Sequence, residues 1–509
     1  MKPSLPSLAA LALFLPPAVT AQHKPFVDSE TIQSLIDESS LLSGAQTLHD
    51  IAAAHDGHRA FGTAGHNATV DFLYTSLTDL DYYTVTKQTF TAPYIGGNVS
   101  LTIDGAPLPV GIMMHGPTSS QTRGPLIAVP DHGCKADTYA QAGDVTDKIA
   151  LVARGGCTFA TKAAQAKAAG AKAVVVYNTQ PARGVVTGTL GAPSAAHAVV
   201  VGISMEEGEK ALARLGKGEE VLADIEVTIV FENRTTVNVL AETRDGDHGN
   251  VLVVGGHSDS VPAGPGVNDN GSGTIGILEV AKALSRFDVK NAVRFAWFSA
   301  EEFGLLGSAA YVRSLNGTET EMGKMRAYLN FDMIASPNYV YGIYDGDGSA
   351  FGLTGPAGSG AIEKRFEDFF KGKGVASVPS AFSGRSDYAP FIANGIPSGG
   401  LFTGAEDRKT EYEVSLFGGE AGVPYDAHYH ARGDTVDNLA MDAFLLNTQA
   451  IADSVAAYAM SFDDLPSGDG VEKGWVADRA VFTKREAQGL HAHAEHAHDG
   501  PCGGFLDRF

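Results

Sequence analysis

Apolar positions along this chain change their spacing twice, and the changes divide it into regions. From Glu30 to His55, Ile32, Leu35 and Ile36, then Leu48, Ile51 and Ala52, recur every three or four residues, which predicts helix in two pieces. Phe72, Leu73 and Leu77 predict a further helix over Val70–Leu80, after which Tyr83 to Phe90 alternates like a strand. Around Pro107 the chain turns to Gly, Pro, Ser and short β runs, and stays so until about Glu232. Within that stretch Lys148–Ala153 predicts a strand, Arg154–Cys157 a turn, Phe159–Ala169 an alanine-rich helix and Ala173–Tyr177 a second strand.

From Val237 onward strand-like and helix-like runs alternate, the pattern of an α/β fold whose mostly parallel, mixed sheet is sandwiched by helices. Three strand-like runs break off into candidate chemistry. Val251–Val254 leads to Gly255-Gly256-His257, Val293–Phe298 to Ser299-Ala300-Glu301-Glu302, and Tyr328–Phe331 to Asp332. Open α/β sheets place their sites at these carboxyl ends.

Each group has an ordinary reading beside the chemical one. His257-Ser258-Asp259 alone is a turn pair, although Asp259 could accept a hydrogen bond that fixes the imidazole tautomer. Asp269-Asn-Gly-Ser-Gly273 precedes the helical run Ile275, Leu278, Ala281, Leu284, and Ser272 could cap that helix without any metal. Glu301-Glu302 is harder to explain without a cation, because two adjacent carboxylates follow the apolar run Phe295–Phe298 and would repel each other if buried unpaired. Asp332 lies between Phe331 and Met333, and an acid in such a stretch is seldom buried without a partner. His428 and His430 compete as the second imidazole. Two imidazoles and three of the four carboxylates can hold two divalent cations, which leaves the fourth carboxylate as a base, an inventory suited to metal-activated water attacking an amide.

The 509 residues exceed one ordinary core, so two or three domains are expected. Fifty-nine acidic against 37 basic residues give −22, which argues against a nucleic-acid or anionic-membrane partner. Lys2 followed by the apolar run Leu8–Leu15 and the small residues before Gln22 predicts a signal peptide over 1–21 and a secreted, extracellular product. Cys134 and Cys157 are close enough in sequence to pair in an oxidising compartment, leaving Cys502 alone. Asn67, Asn98, Asn233 and Asn316 head glycosylation sequons; Asn270 heads another, but a glycan there would block the proposed site.

Two resemblances sharpen this reading. The β-turn-α-β unit with Gly-Cys-Thr-Phe at Gly156–Phe159 resembles the protease-associated domain. Gly256-His-Ser-Asp259, Gly266-Val-Asn-Asp-Asn-Gly-Ser-Gly273, Phe298–Ser308, Asn330-Phe-Asp-Met333, Gly384-Arg-Ser-Asp-Tyr388 and Tyr429-His430 together resemble the M28 family of zinc exopeptidases, secreted leucine-aminopeptidase type. Between the signal peptide at 1–21 and a polar, His-rich tail at 466–509, both read from composition, the resemblance implies a peptidase body at 22–105 and 232–465 with an inserted domain at 106–231. It implies two Zn²⁺, one bound by His257 and Asp332, the other by Glu302 and His430, with Asp269 bridging. Glu301 matches the general base, Tyr429 the oxyanion-stabilising residue, Arg385 a residue at the substrate end and Asp259 an acid behind a ligand; Met333 and Phe402 would line an apolar side-chain pocket. A cis Asp269–Asn270 bond is expected on the same ground. Where relatives often carry a disulfide around the second histidine, His428 and Gly433 stand here instead. The function implied is release of N-terminal, Leu-type residues from peptides with a free N-terminus by a monomeric chain. Carboxypeptidase or glutaminyl cyclase activity, or a non-catalytic receptor-like role, are the alternatives.

Overall fold

The computed structural model describes residues 24–466 apart from 180–183, 192 and 316–318. The expected signal peptide, nearly all of the tail with Cys502, and Asn316 lie outside the described residues.

Three adjacent parallel strands form the centre. Asp247–His257 lies between Asn291–Phe298 and Met325–Phe331, and Ser398–Phe402 runs parallel beyond the last. Gly342–Tyr344 and Val378–Ser380 complete one edge, while Leu222–Thr243 adds antiparallel to Asn291–Phe298 on the other side. These strands are continuously apolar because both faces are covered. Leu252, Val254, Phe295, Trp297 and Leu329 pack into one core with helices Gly273–Leu284 and Met441–Met460. Val251, Val253, Ala296, Phe298 and Tyr328 turn the other way, against Tyr311, Val312, Phe391 and Ile392 of helices Leu306–Leu315 and Tyr388–Ile392. Each such fully buried aliphatic or aromatic side chain contributes roughly 1.5–3 kcal/mol.

Register aligns the carboxyl ends. His257 pairs with Phe298, and Gly255 with Asn330, so Asp332 stands level with His257 and the Glu301-Glu302 turn begins just beyond. Gly400 permits a close approach on the far side of Asp332's strand: its φ is 150°, and a Cβ there would stand 1.9 Å from the Asn330 carbonyl oxygen.

The two helical pieces are Ser29–Ser34 and Glu38–Ala54, and the third helix runs Ala64–Thr78. The strand that starts at Tyr83 does not stop near Phe90: it continues to Ile103, paired antiparallel with Leu222–Thr243 from Tyr83↔Thr243 to Ile103↔Ala223. Pro93, Gly96 and Gly97 interrupt its alternation in sequence, yet they fit this ribbon; at Gly97 a Cβ would meet the Thr228 carbonyl at 1.9 Å, so the partner strand demands glycine. The ribbon carries the chain into the inserted unit and back, and residues 231 and 232 lie within it. There the strands Ile149–Ala153, Ala173–Tyr177 and Val199–Ile203 lie parallel, with Val152 and Val176 facing helix Phe159–Ala168, and Leu151 and Val175 facing helix Met205–Gly216. Cys134 and Cys157 form a disulfide in this unit. Tyr94, near the middle of the ribbon, contacts Phe61 and Phe303, the latter next to Glu302.

Gly400→Ala is expected to lower stability by about 2 kcal/mol or more, since the added methyl must displace an interstrand carbonyl. A thermal melt indistinguishable from wild type would contradict that account.

Candidate functional site

The Glu301-Glu302 turn is built from tight backbone. Ala300 and Leu305 take positive φ, the Glu301 carbonyl accepts from the amides of Gly304 and Leu305, both at 2.9 Å, and Asp259 Oδ1 accepts from the Glu301 amide at 3.2 Å. Met333 and His430 also have positive φ, so left-handed backbone in non-glycine residues gathers beside the candidate ligands.

Asp269 is positioned by its backbone. Asp434 accepts from the amides of Asn268 (2.7 Å) and Asp269 (3.0 Å), while Asp426 accepts from the Asn268 side chain at 2.7 Å. Burial, then neighbouring Asp426, pushes the Asp434 carboxyl up to about 8. The Asp269–Asn270 bond is cis. Ser272 does not cap the following helix; its hydroxyl donates to the Asn268 carbonyl, and the Gly273 amide goes to Asn270 Oδ1. Asn270 is fully buried, whereas Asn67, Asn98 and Asn233 are exposed.

His257, Asp269, Glu301, Glu302, Asp332 and His430 line one pocket together with Tyr429, Arg385, Met333 and Phe402. His257 Nε2 lies 3.3 Å from Asp269 Oδ1 and 3.3 Å from Asp332 Oδ1. His430 Nε2 lies 3.1 Å from Asp269 Oδ2 and 3.0 Å from Glu302 Oε2. The two oxygens of Asp269 therefore face different imidazoles, each accompanied by a further carboxylate. Glu301 Oε2 stands 3.9 Å from His257 Nε2. His428 is exposed, and its ring packs where a Cβ on Gly433 would sit, 2.1 Å from Nδ1. The two residues are therefore in contact across this loop.

Asp259 is buried behind His257, with its carboxylate 3.6 Å from Nδ1; the nearer acceptor is its own carbonyl oxygen at 3.2 Å. A carbonyl only accepts, so Nδ1 carries the hydrogen and the lone pair of a neutral ring at Nε2 faces two carboxylates. Such an arrangement is repulsive unless a positive charge lies between them.

The titration behaviour makes the same demand. Burial opposes protonation of His430, yet Glu302 and Asp269 raise it to about 10. Burial likewise opposes His257, but Asp332, Glu301 and Asp259 raise it well above the usual range. Burial, then Asp269, lifts Glu302 to about 7; burial, with Asp332 and Glu302 adding repulsion, raises Glu301 well above a normal carboxylate. The residues fit a metal centre on this ground and on geometry: oxygen and nitrogen donors at about 2.0–2.1 Å in a tetrahedron stand about 3.3 Å apart, close to the separations found here.

Several functional neighbours escaped the sequence. Arg59 is fully buried and donates from Nη1 to the Ser258 carbonyl, from Nη2 to that of Gly266 (2.6 Å) and from Nε to that of Pro265 (3.0 Å), tying the His257 loop to the Asp269 loop. Its partners are main-chain oxygens, which leave no sequence signature. Ser386 donates to Asp332 Oδ2 at 2.6 Å, and Glu406 accepts from Arg385 with both oxygens, at 3.0 and 3.1 Å. Arg385 also reaches the Tyr429 hydroxyl at 3.4 Å, and the Tyr429 ring stacks on His430 at 3.8 Å. Tyr344 and Ser380 complete the pocket wall.

Comparisons with known proteins point the same way. Residues 238–455 match the model of Peptidase family M28, and residues 122–211 match the PA domain. A probable leucine aminopeptidase 2 of Aspergillus fumigatus is 47% identical over 99% of this chain and 98% of its own. The leucine aminopeptidase 2 of Arthroderma otae is 46% identical over 97% and 99%. Among solved structures, BSAP, a zinc aminopeptidase from Bacillus subtilis, superposes with TM-score 0.62 at 25% identity, covering 88% of this chain and 98% of that one. The aminopeptidase from Aneurinibacillus sp. strain AM-1 gives 0.61 at 27%, covering 85% and 95%.

Arg59→Leu leaves three buried carbonyls without their donor and is expected to cost about 3–5 kcal/mol, read as a lower denaturant midpoint. A loss under about 1 kcal/mol would mean that the two ligand loops do not depend on this cation.

Proposed function

Because the chain belongs to peptidase family M28, we propose that it is a secreted zinc aminopeptidase that releases N-terminal, Leu-type residues from peptides with a free N-terminus. The observation that carries the reading is Asp269, whose two oxygens face two imidazoles at 3.3 and 3.1 Å. His257 and Asp332 would hold one Zn²⁺, Glu302 and His430 the other, with Asp269 shared between them. When bound, the pair would supply Lewis acidity to the scissile carbonyl and make water acidic enough to lose a proton near neutral pH.

The remaining chemistry belongs to this chain's side chains. Glu301, its amide held by Asp259, takes the proton of the attacking water and returns it to the leaving amine. Tyr429 donates its hydroxyl hydrogen to the oxyanion as charge develops there. Stacking on His430 and contact with Arg385 orient that ring. Met333 and Phe402, joined by Tyr344, offer an apolar wall for a Leu or Phe side chain. The substrate's α-ammonium lies among the acids near Glu301 and Asp332. A carboxypeptidase would instead need a cation free for the substrate carboxylate, and Arg385, the basic residue lining the pocket, is committed to Glu406.

Export is proposed from the leading apolar segment and is supported by the Cys134–Cys157 disulfide, a bond that persists in oxidising compartments. Exposure of Asn67, Asn98 and Asn233 suits glycan attachment.

Glu301→Gln is expected to keep two zinc ions per chain by elemental analysis while kcat falls by about 10²–10⁴. Near-normal turnover would remove Glu301 as the base. Wild-type enzyme should hydrolyse Leu-p-nitroanilide, lose that activity to a chelator and leave an N-acetylated peptide intact; cleavage of the blocked peptide from its carboxyl end would overturn the aminopeptidase reading.

A further inference from the structure

A second acidic cluster lies behind the pocket wall, outside the segments that carry the candidate metal ligands. The chain leaves strand Gly342–Tyr344 into Asp345-Gly346-Asp347-Gly348-Ser349, and helix Ser359–Gly372 brings Glu363 against the same loop. One carboxylate oxygen from each of Asp345, Asp347 and Glu363 lies within 4.8 Å of the other two. Asp345 is 1% exposed and Glu363 7%.

Backbone amides satisfy part of this cluster but leave one buried oxygen unmatched. Asp345 Oδ2 accepts from the amides of Ala350 (3.1 Å) and Phe351 (2.8 Å), but its Oδ1 is buried with no hydrogen-bond partner, leaving that oxygen to the cluster. Glu363 Oε2 accepts from the amides of Gly346 (2.8 Å) and Asp347 (3.1 Å), and Asp347 Oδ1 from that of Ser349 (2.8 Å). The oxygens of Asp345, Asp347 and Glu363 thus face one another across a gap wide enough for one ion, with no donor group between them among the described residues. Among the described residues, none of the ion pairs reaches any of the three.

The donor chemistry selects the cation. Every candidate ligand is an oxygen, which suits Ca²⁺ rather than Zn²⁺. Asp345, Asp347 and Ser349 alternate at every second position, as the first three ligands of a calcium loop do. The intervening glycines are required by the fold: Gly348 has φ 75°, and a Cβ on Gly346 would stand 2.3 Å from the Ser359 carbonyl. The loop is tied to the catalytic pocket, because the Asp345 amide donates to the Ser380 carbonyl at 2.8 Å, and Ser380 and Tyr344 both line that pocket.

We propose that Asp345, Asp347 and Glu363, with the Ser349 end of the loop, form a Ca²⁺ site distinct from the zinc centre, and that the bound ion braces the pocket wall at Tyr344 and Ser380. The site is independent of the peptidase reading and does not require it.

Full-length enzyme is kept zinc-replete throughout and dialysed free of Ca²⁺; its residual calcium is measured, and its Tm is then followed as CaCl₂ is added. Wild type should either retain about one Ca²⁺ per chain or gain about 3 °C or more at a hundredfold excess over Kd. Asp347→Asn, altered at an exposed position, and Glu363→Gln should retain no Ca²⁺ and show little or no gain. Should Glu363→Gln fail to fold, Asp347→Asn alone decides. A wild type without calcium whose Tm ignores CaCl₂, or an Asp347→Asn variant that responds like wild type, overturns the proposal. A Tm that falls with rising pH but ignores CaCl₂ would assign the three-acid cluster to a retained proton, and also overturns it. None of these readouts involves peptide hydrolysis, so failure here and failure of the zinc assignment are distinguishable.

Discussion

Burying several carboxylates in one pocket at the ends of adjacent strands creates a need for positive charge between them, and most of the architecture around that pocket answers to it. The Coulomb repulsion among Asp269, Glu301, Glu302 and Asp332 is strong because all four are largely withdrawn from water. Two imidazoles are drawn toward protonation by that field. The side chains approach closely enough to share cations, whereas a protein stabilised only by its own ion pairs would gain from separating the acids.

Such a cluster holds its geometry only if its backbone is immobilised from behind. Arg59 joins two ligand loops through main-chain oxygens, and Asp434 holds the amides that place Asp269. Ser386 restrains Asp332, while Arg385 and Glu406 restrain Tyr429. Loss of a group in this outer layer would spread through ligand orientation, as it does around metal sites generally.

The parts legible in the sequence are those where burial and local chemistry coincide. His257, Glu301-Glu302 and Asp332 stood out because each interrupts a strand apolar on both faces, and the parallel register then brings them level. His430 was not separable from His428 by residue pattern, since both sit in a polar loop whose shape depends on contacts far away. The continuation of the Tyr83 strand was obscured by Pro93, Gly96 and Gly97, which ordinarily end strands; pairing with a distant partner overrode that local signal. Ser272 offered a plausible cap, but the helix takes its first amide contact from Asn270 instead. The Asp345 loop carried a readable alternation, although only the fold shows that Glu363 returns to it.

The ribbon formed by Tyr83–Ile103 and Leu222–Thr243 makes the inserted unit a cassette. Its two seams are rungs of one ladder, so cutting at a matched pair such as Val99 and Val227 exchanges the whole insert without shifting the register of the strands that remain. Tyr94 lies on the retained side of that cut and keeps its contact beside the paired glutamates. Chains that share this scaffold can thus exchange the insert while the strands that carry the pocket keep their alignment.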